Sequence, residues 1–382
     1  MKLPERARDI SPFIVMEVLE KAHEMEAKGI DVIHLEVGEP DFSVFKSVVI
    51  ESNIAMMNGH THYTHSLGDP ELRNAISKDY VNKYDLEIDP GRIIITSGSS
   101  PAIHLILSVL MERGQEVIIP DPGYACYPNF IKLLEGIPVP VKCEEIHGFQ
   151  YDPKNVKEKI NKNTAALFLN SPSNPTGHIA SPENMRALAG LDKWIISDEI
   201  YHGLVYENKA HCILEFTDKA FVLNGFSKLY AMTGLRIGYL IAPPEYVRPI
   251  QKIQQNLFIC ASSIAQRAAI KALEACQDEV LERKEQYGRR RTVMIRRLKS
   301  MGFGIAKEPE GAFYVFANAK KFGHDSYKLA FDILENAHVG VTPGIDFGAN
   351  GEGFLRFSYA SSLEKINEGM DRIEHYLNKK PE

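Results

Sequence analysis

Lys228 directly follows the apolar run AFVLNGFS, so a strand carries its amine to the rim of a sheet and holds it there. A lysine amine has an ordinary pKa of about 10.4, and surroundings that lower it make a nucleophile able to form Schiff bases with carbonyl cofactors. The stretch GFSKLYAMTGLRIGY brings Ser227 and Arg236 into the same loop. Alone, a lysine at a strand end carries little weight, because most lysines are simply solvated.

Asp198 closes the apolar run WIISD before EIY, which puts a carboxylate at a sheet rim. A carboxylate there can keep a pyridine nitrogen protonated and turn the ring into an electron sink; taken singly, it reads more readily as a helix N-cap or a surface acid. Asn174 lies in the polar turn NSPSNPTG after the strand AALFLN, where an amide can donate to a phenolate oxygen and Pro175 and Gly177 shape the turn. Gly98, Ser99 and Ser100 separate the strand RIIIT from the helix PAIHLILSVL, a place where backbone N–H groups cradle phosphate.

The elements that must position these groups alternate between strand-like and helix-like segments along most of the chain. That pattern predicts an α/β fold: a large domain with a mostly parallel central sheet flanked by helices, plus a smaller α+β domain. At 382 residues the chain exceeds what one core usually supports. The expected division is an N-terminal arm joined to the small domain over 1–45, a large cofactor-binding domain over 46–285, and a C-terminal small domain over 286–382. The spacing of Ile14, Val15, Val18, Leu19, Ala22 and Met25 predicts a helix ended by Gly29, and residues 245–300 read as one or two helices. In open parallel sheets the ligand crevice lies at the C-terminal strand ends, which gathers 170–177, 198–201 and 227–228 on one rim.

A net charge of -6 leaves no electrostatic footprint for nucleic acid. The basic cluster Arg289, Arg290, Arg291, Arg296 and Arg297 reads as a solvated helix face, with Glu282 and Glu285 at helical distance before it. Five cysteines without a C-x-x-C pair suggest reduced thiols. The N-terminus MKLPERARDISPFIV lacks an apolar signal core and no apolar run of about 18 residues occurs, so a soluble cytoplasmic protein is expected.

In this order, Asn174, Asp198, Tyr201, Lys228 and Arg236 resemble the fingerprint of fold type I pyridoxal-phosphate aminotransferases, the aspartate aminotransferase superfamily of class I and II enzymes. The likeness runs from GEPDF through YTHSLGDPELR, DPGYACYPN, NPTG, SDEIY and SKLYAMTGLRIGY to PEGAFYVF and FLRFSYA. It implies pyridoxal 5'-phosphate bound to Lys228, with Tyr124 on one ring face, Asp198 at the ring nitrogen, and Asn174 and Tyr201 at the phenolate oxygen. The phosphate would meet Gly98, Ser99, Ser100, Ser227 and Arg236. Tyr63 would reach the cofactor of a second copy, making a homodimer. Arg356, with the backbone at Gly38 and the amide of Asn174, would bind the substrate α-carboxylate. The implied reaction moves an amino group from an amino acid to a 2-oxo acid by a ping-pong route, with Lys228 as base and Asp198 and Tyr201 assisting.

Aspartate with 2-oxoglutarate is the default substrate pair, with aromatic amino acids, alanine and methionine as alternatives. A cysteine-sulfur β-lyase on the same fold usually carries His where this chain has Tyr201. An effector-sensing domain of a transcription regulator would need a DNA-binding module that the N-terminus has no room for. The chain departs from the family pattern in SVFKSVV after GEPDF, at Leu235 and at His178, and the first of these alters a loop at the substrate mouth. His60, His62 and His65 in HTHYTHS suggest a metal cluster at first sight, but no ligand set repeats at the right spacing, and no metal is expected. His104 reads as a core histidine.

Overall fold

A computed structural model describes residues 4–379. Its main sheet has seven strands: β1 (Ile93–Thr96), β2 (Glu116–Asp121), β3 (Ile137–Lys142), β4 (Thr164–Asn170), β5 (Trp194–Asp198), β6 (Ala220–Gly225) and β7 (Gly238–Ile241). Their order is β1-β7-β6-β5-β4-β2-β3, and only β7 runs antiparallel to its neighbours. The other strands therefore end on one rim. Residues of β1, β6 and β7 are buried on both faces, which explains their unbroken apolar runs.

β3 escaped the sequence reading because Pro138 and Pro140 interrupt its pattern, and it sits at the sheet edge, where a proline costs no ladder bond. Residues 244–301 form three helices rather than one or two: Pro244–Leu257, Ser263–Ala275 and Gln277–Met301. Ser262 starts the second by accepting from the backbone N–H of Ala265. The third runs unbroken through the expected boundary at 285/286.

A second, antiparallel sheet is built from β8 (Tyr314–Asn318), β9 (Thr342–Pro343) and β10 (Phe354–Ser358) in the order β9-β10-β8. The helix Ile14–Glu26 buries Val15, Val18, Ala22 and Met25, as its spacing predicts. From there Ile33 and His34 pair in parallel with Val339 and Gly340, tying the start of the chain to its last third.

The basic cluster is solvated at Arg289 and Arg296, as expected, but departs from expectation at two residues. Arg290 and Arg291 are buried and pair with Asp41 and Glu207, not with the preceding glutamates of their own helix. Their guanidinium groups lie over aromatic rings, that of Arg290 4.7 Å from the centre of Phe42 and that of Arg291 5.2 Å from the centre of Tyr206. His104 is only half-buried.

The flank of the main sheet is set by apolar packing away from the rim. Phe221 is fully buried against Trp194 and Tyr246, with ring centroids 5.5 and 5.1 Å away. Phe221→Ala is expected to lower the free energy of unfolding by about 3–5 kcal/mol, measured by urea denaturation. A loss below about 1 kcal/mol would show that this flank does not support the sheet.

Candidate active site

At the shared rim a cavity of about 280 Å³ is lined by Ser99, Ser100, Tyr124, Asn174, Asp198, Tyr201, Ser227 and Lys228 from the main sheet's loops, and by Gly38, Tyr314 and Arg356 from the second body of structure. Arg236 also faces it. Of the residues singled out from sequence, Gly98 lies just behind this lining, and Tyr63 is 80% exposed on the surface, outside this chain's own cavity.

Strand register sets the first contacts. Asn170 and Asp198 are directly paired at the ends of β4 and β5. The Asn170 amide donates to the Asp198 backbone oxygen at 2.9 Å, and its side-chain oxygen accepts from the Asn174 N–H at 2.8 Å. The polar turn is thus clamped to the strand beside it. The Asp198 carboxylate accepts from the Tyr127 hydroxyl at 2.8 Å and the Ile200 N–H at 3.3 Å. Burial pushes its pKa up, opposed by those bonds and by the charge of Lys228.

Lys228 donates from Nζ to the Gly38 carbonyl at 2.6 Å. Burial pushes this amine down from 10.5 to about 8; Glu39 works against that shift, while Arg356 and Arg236 reinforce it. Close to neutral pH it is an amine that readily gives up its proton.

Gly98 has φ +99° and begins the helix Ser99–Leu110 without a side-chain cap. A Cβ there would come 2.7 Å from the Arg236 guanidinium, so only glycine lets the arginine lie against this helix start. Arg236 itself takes a left-handed backbone, φ +50°, fixed by its own bond to the Thr233 carbonyl at 3.0 Å. First-turn N–H groups, two serines and a guanidinium together make an anion cradle.

Arg356, on β10, is 2% exposed. Its guanidinium donates to Asn174 Oδ1 at 2.8 Å, to Thr342 Oγ1 at 3.2 Å and to the Glu36 carbonyl, and lies 4.5 Å from the centre of the Tyr314 ring. Among the described residues no carboxylate lies within ion-pair distance of it. With the Asn174 oxygen turned to Arg356, the amide's N–H₂ end is left as its remaining donor.

Two further site residues escaped the sequence reading. Tyr127 stacks on Phe168 at 4.3 Å and holds Asp198; it stands three residues after Tyr124 in DPGYACYPN, a one-turn spacing that was the available signal. Tyr314 shares a 2.7 Å hydrogen bond with Tyr201, and a Cβ at Gly38 would overlap its hydroxyl. Gly38 is therefore required by the close approach of Tyr314.

The mouth is built by the N-terminal segment. Asp346 accepts from the N–H groups of Ile14 (2.9 Å) and Val15 (3.3 Å), capping from afar a helix that has no side-chain cap of its own. Phe13, held by this, meets Tyr124 edge to face at 6.1 Å, and with Val15, Met16 and Val37 it gives the cavity an apolar wall.

A lysine on the loop after a parallel strand, facing a buried aspartate across this rim, belongs to the fold type I pyridoxal-phosphate enzymes. The family model for aminotransferase class I and II matches residues 30–373. A (5-formylfuran-3-yl)methyl phosphate transaminase of Methanocaldococcus jannaschii is 42% identical over 381 residues, covering 99% of this chain and 100% of the relative. An aspartate aminotransferase of Pyrococcus horikoshii is 39% identical, covering 98% of this chain and 97% of that one. A crystal structure from Methanococcus jannaschii, described as similar in its active site to kynurenine aminotransferases, superposes with a TM-score of 0.92 at 42% identity over 99% of this chain and 100% of that chain. The chain belongs to the aminotransferase class I and II family and is a pyridoxal-phosphate-dependent aminotransferase.

In the cofactor-free protein, labelling of Lys228 by an amine-directed reagent should rise with pH through a midpoint of about 8, read by peptide mass spectrometry. A midpoint near 10.5 would mean that burial does not activate the amine.

Proposed function

We propose that this enzyme transfers the amino group of an L-amino acid with an aromatic or aliphatic side chain to a 2-oxo acid by a ping-pong route. The apolar wall of Phe13, Val15, Met16 and Val37 carries this preference. The cationic side chains lining the cavity are Lys228, Arg236 and Arg356, and the roles below engage all of them, leaving none in this chain for a second carboxylate. The default expectation of aspartate is the second reading, supported by the name of the Pyrococcus relative.

The residues fit pyridoxal 5'-phosphate in charge and shape. The Gly98 cradle with Ser99, Ser100, Ser227 and Arg236 suits a phosphate. A buried aspartate held by one hydroxyl and one N–H has capacity left for a protonated ring nitrogen. Tyr124 offers an aromatic face, and the Asn174 amide and Tyr201 hydroxyl suit a phenolate oxygen. When bound, the cofactor supplies the electron sink that accepts the pair left at the substrate Cα.

The chain's own groups then divide the work. Lys228 would hold the cofactor, and its amine would take the proton from the substrate Cα and return it on the other side of the transfer. Asp198 would keep the ring nitrogen charged, and Tyr127 holds Asp198 by its hydrogen bond. Arg356 orients the substrate by its α-carboxylate, with the Gly38 backbone closing that end. Tyr314 holds Tyr201.

The exposed Tyr63, with Met57, Leu257, Phe258 and Ile259 also exposed, supports a homodimer in which Tyr63 reaches the other copy's cofactor phosphate. Among the described residues no helix is long and apolar enough to cross a membrane, and a cytoplasmic location is part of this proposal.

A panel of amino donors against 2-oxoglutarate and pyruvate, followed by 2-oxo acid formation, should give higher kcat/KM for aromatic and aliphatic donors than for aspartate. Lys228→Ala should lose about 10²–10⁴-fold in transfer rate. Aspartate outrunning every apolar donor would overturn the substrate class, and near-normal transfer by Lys228→Ala would overturn the base.

A further inference from the structure

A histidine cluster far from HTHYTHS in the sequence has the geometry that segment lacks. His23 and Glu26 lie one turn apart on the helix Ile14–Glu26, and His34 faces them from the short strand that follows. One ligand-capable atom from each of His23, Glu26 and His34 lies within 4.8 Å of the other two. His34 Nε2 is 3.2 Å from Glu26 Oε1, close to the edge of about 3.3 Å expected for a tetrahedron with metal bonds of about 2.0–2.1 Å.

The second observation is Glu36. Its carboxylate is fully buried; Oε1 lies 2.6 Å from His34 Nδ1, and Oε2 has no hydrogen-bond partner. Among the described residues no lysine or arginine pairs with it, and its one ionic partner is His34. A buried carboxylate on one ring nitrogen, with the other nitrogen directed at further ligands, is the arrangement that fixes the tautomer of metal-bound histidines.

We infer that His23, Glu26 and His34 bind a divalent transition ion of the zinc type, with Glu36 orienting His34. Two imidazoles and one carboxylate select such an ion over calcium or magnesium, which take all-oxygen sets. The charges also balance, since two carboxylates, Glu26 and Glu36, meet one dication. The site staples the mouth helix to the segment whose Glu36 carbonyl accepts from Arg356.

The test uses pyridoxal-phosphate-loaded enzyme at about pH 8.5, the probes being Zn(II) in equilibrium dialysis and Co(II) in visible absorption. One ion per chain and the intense bands of four-coordinate Co(II) are expected. His23→Ala, a surface change that leaves the fold intact, should abolish both. Glu36→Gln should weaken binding by roughly 10–100-fold, whereas the double variant His60→Ala, His62→Ala should bind as the parent does. No uptake, uptake unaffected by His23→Ala, or loss in the His60, His62 variant would each overturn the site.

Discussion

A buried guanidinium without a carboxylate beside it stands where the two sheets meet, and much of the cavity is arranged around it. Arg356 is held by neutral partners alone: the Glu36 carbonyl, the Thr342 hydroxyl, the Asn174 amide and the Tyr314 ring. A buried charge met only by dipoles is incompletely compensated, and an arriving carboxylate supplies what is missing. Asn174 belongs to the rim of the main sheet and Arg356 to the smaller one, so the same bond that steadies the cation joins the two sheets. Gly38 has no room for a side chain because Tyr314 must come close enough to serve both Arg356 and Tyr201.

The desolvation that burdens Arg356 tunes its neighbours. The low-dielectric cavity that brings Lys228 down to about 8 also pushes Asp198 up. A protonated ring nitrogen placed beside Asp198 would favour its charged form, and a neutral Lys228 is the form able to accept a proton. Both shifts follow from placing polar groups at the ends of largely buried strands.

How much of this was legible varies with how local the signal is. Strand ends marked by polar residues were readable, because parallel strands buried on both faces leave chemistry only at their tips; Asn174, Asp198, Ser227 and Lys228 were found that way. The alternation that placed the α/β sheet is equally local. Tyr127 and Tyr314 were not isolated, since each works through a contact far along the chain, with Asp198 and Tyr201. β3 was hidden by prolines that an edge strand tolerates. Arg290 and Arg291 looked solvated because their true partners, Asp41 and Glu207, are remote in sequence. The apolar mouth depends on Asp346 capping a helix more than three hundred residues earlier, which no short pattern records.

Binding of the substrate carboxylate by Arg356 is the role on which the other contacts of the cavity converge. Its most direct measurement is the affinity of the holoenzyme for 3-phenylpropanoate, a carboxylate with no amine to react, compared between the parent and Arg356→Gln by calorimetry. Loss of a buried, hydrogen-bonded charge partner predicts a weakening of at least about 30-fold. Binding within about threefold of the parent, with the fold intact by circular dichroism, would contradict it.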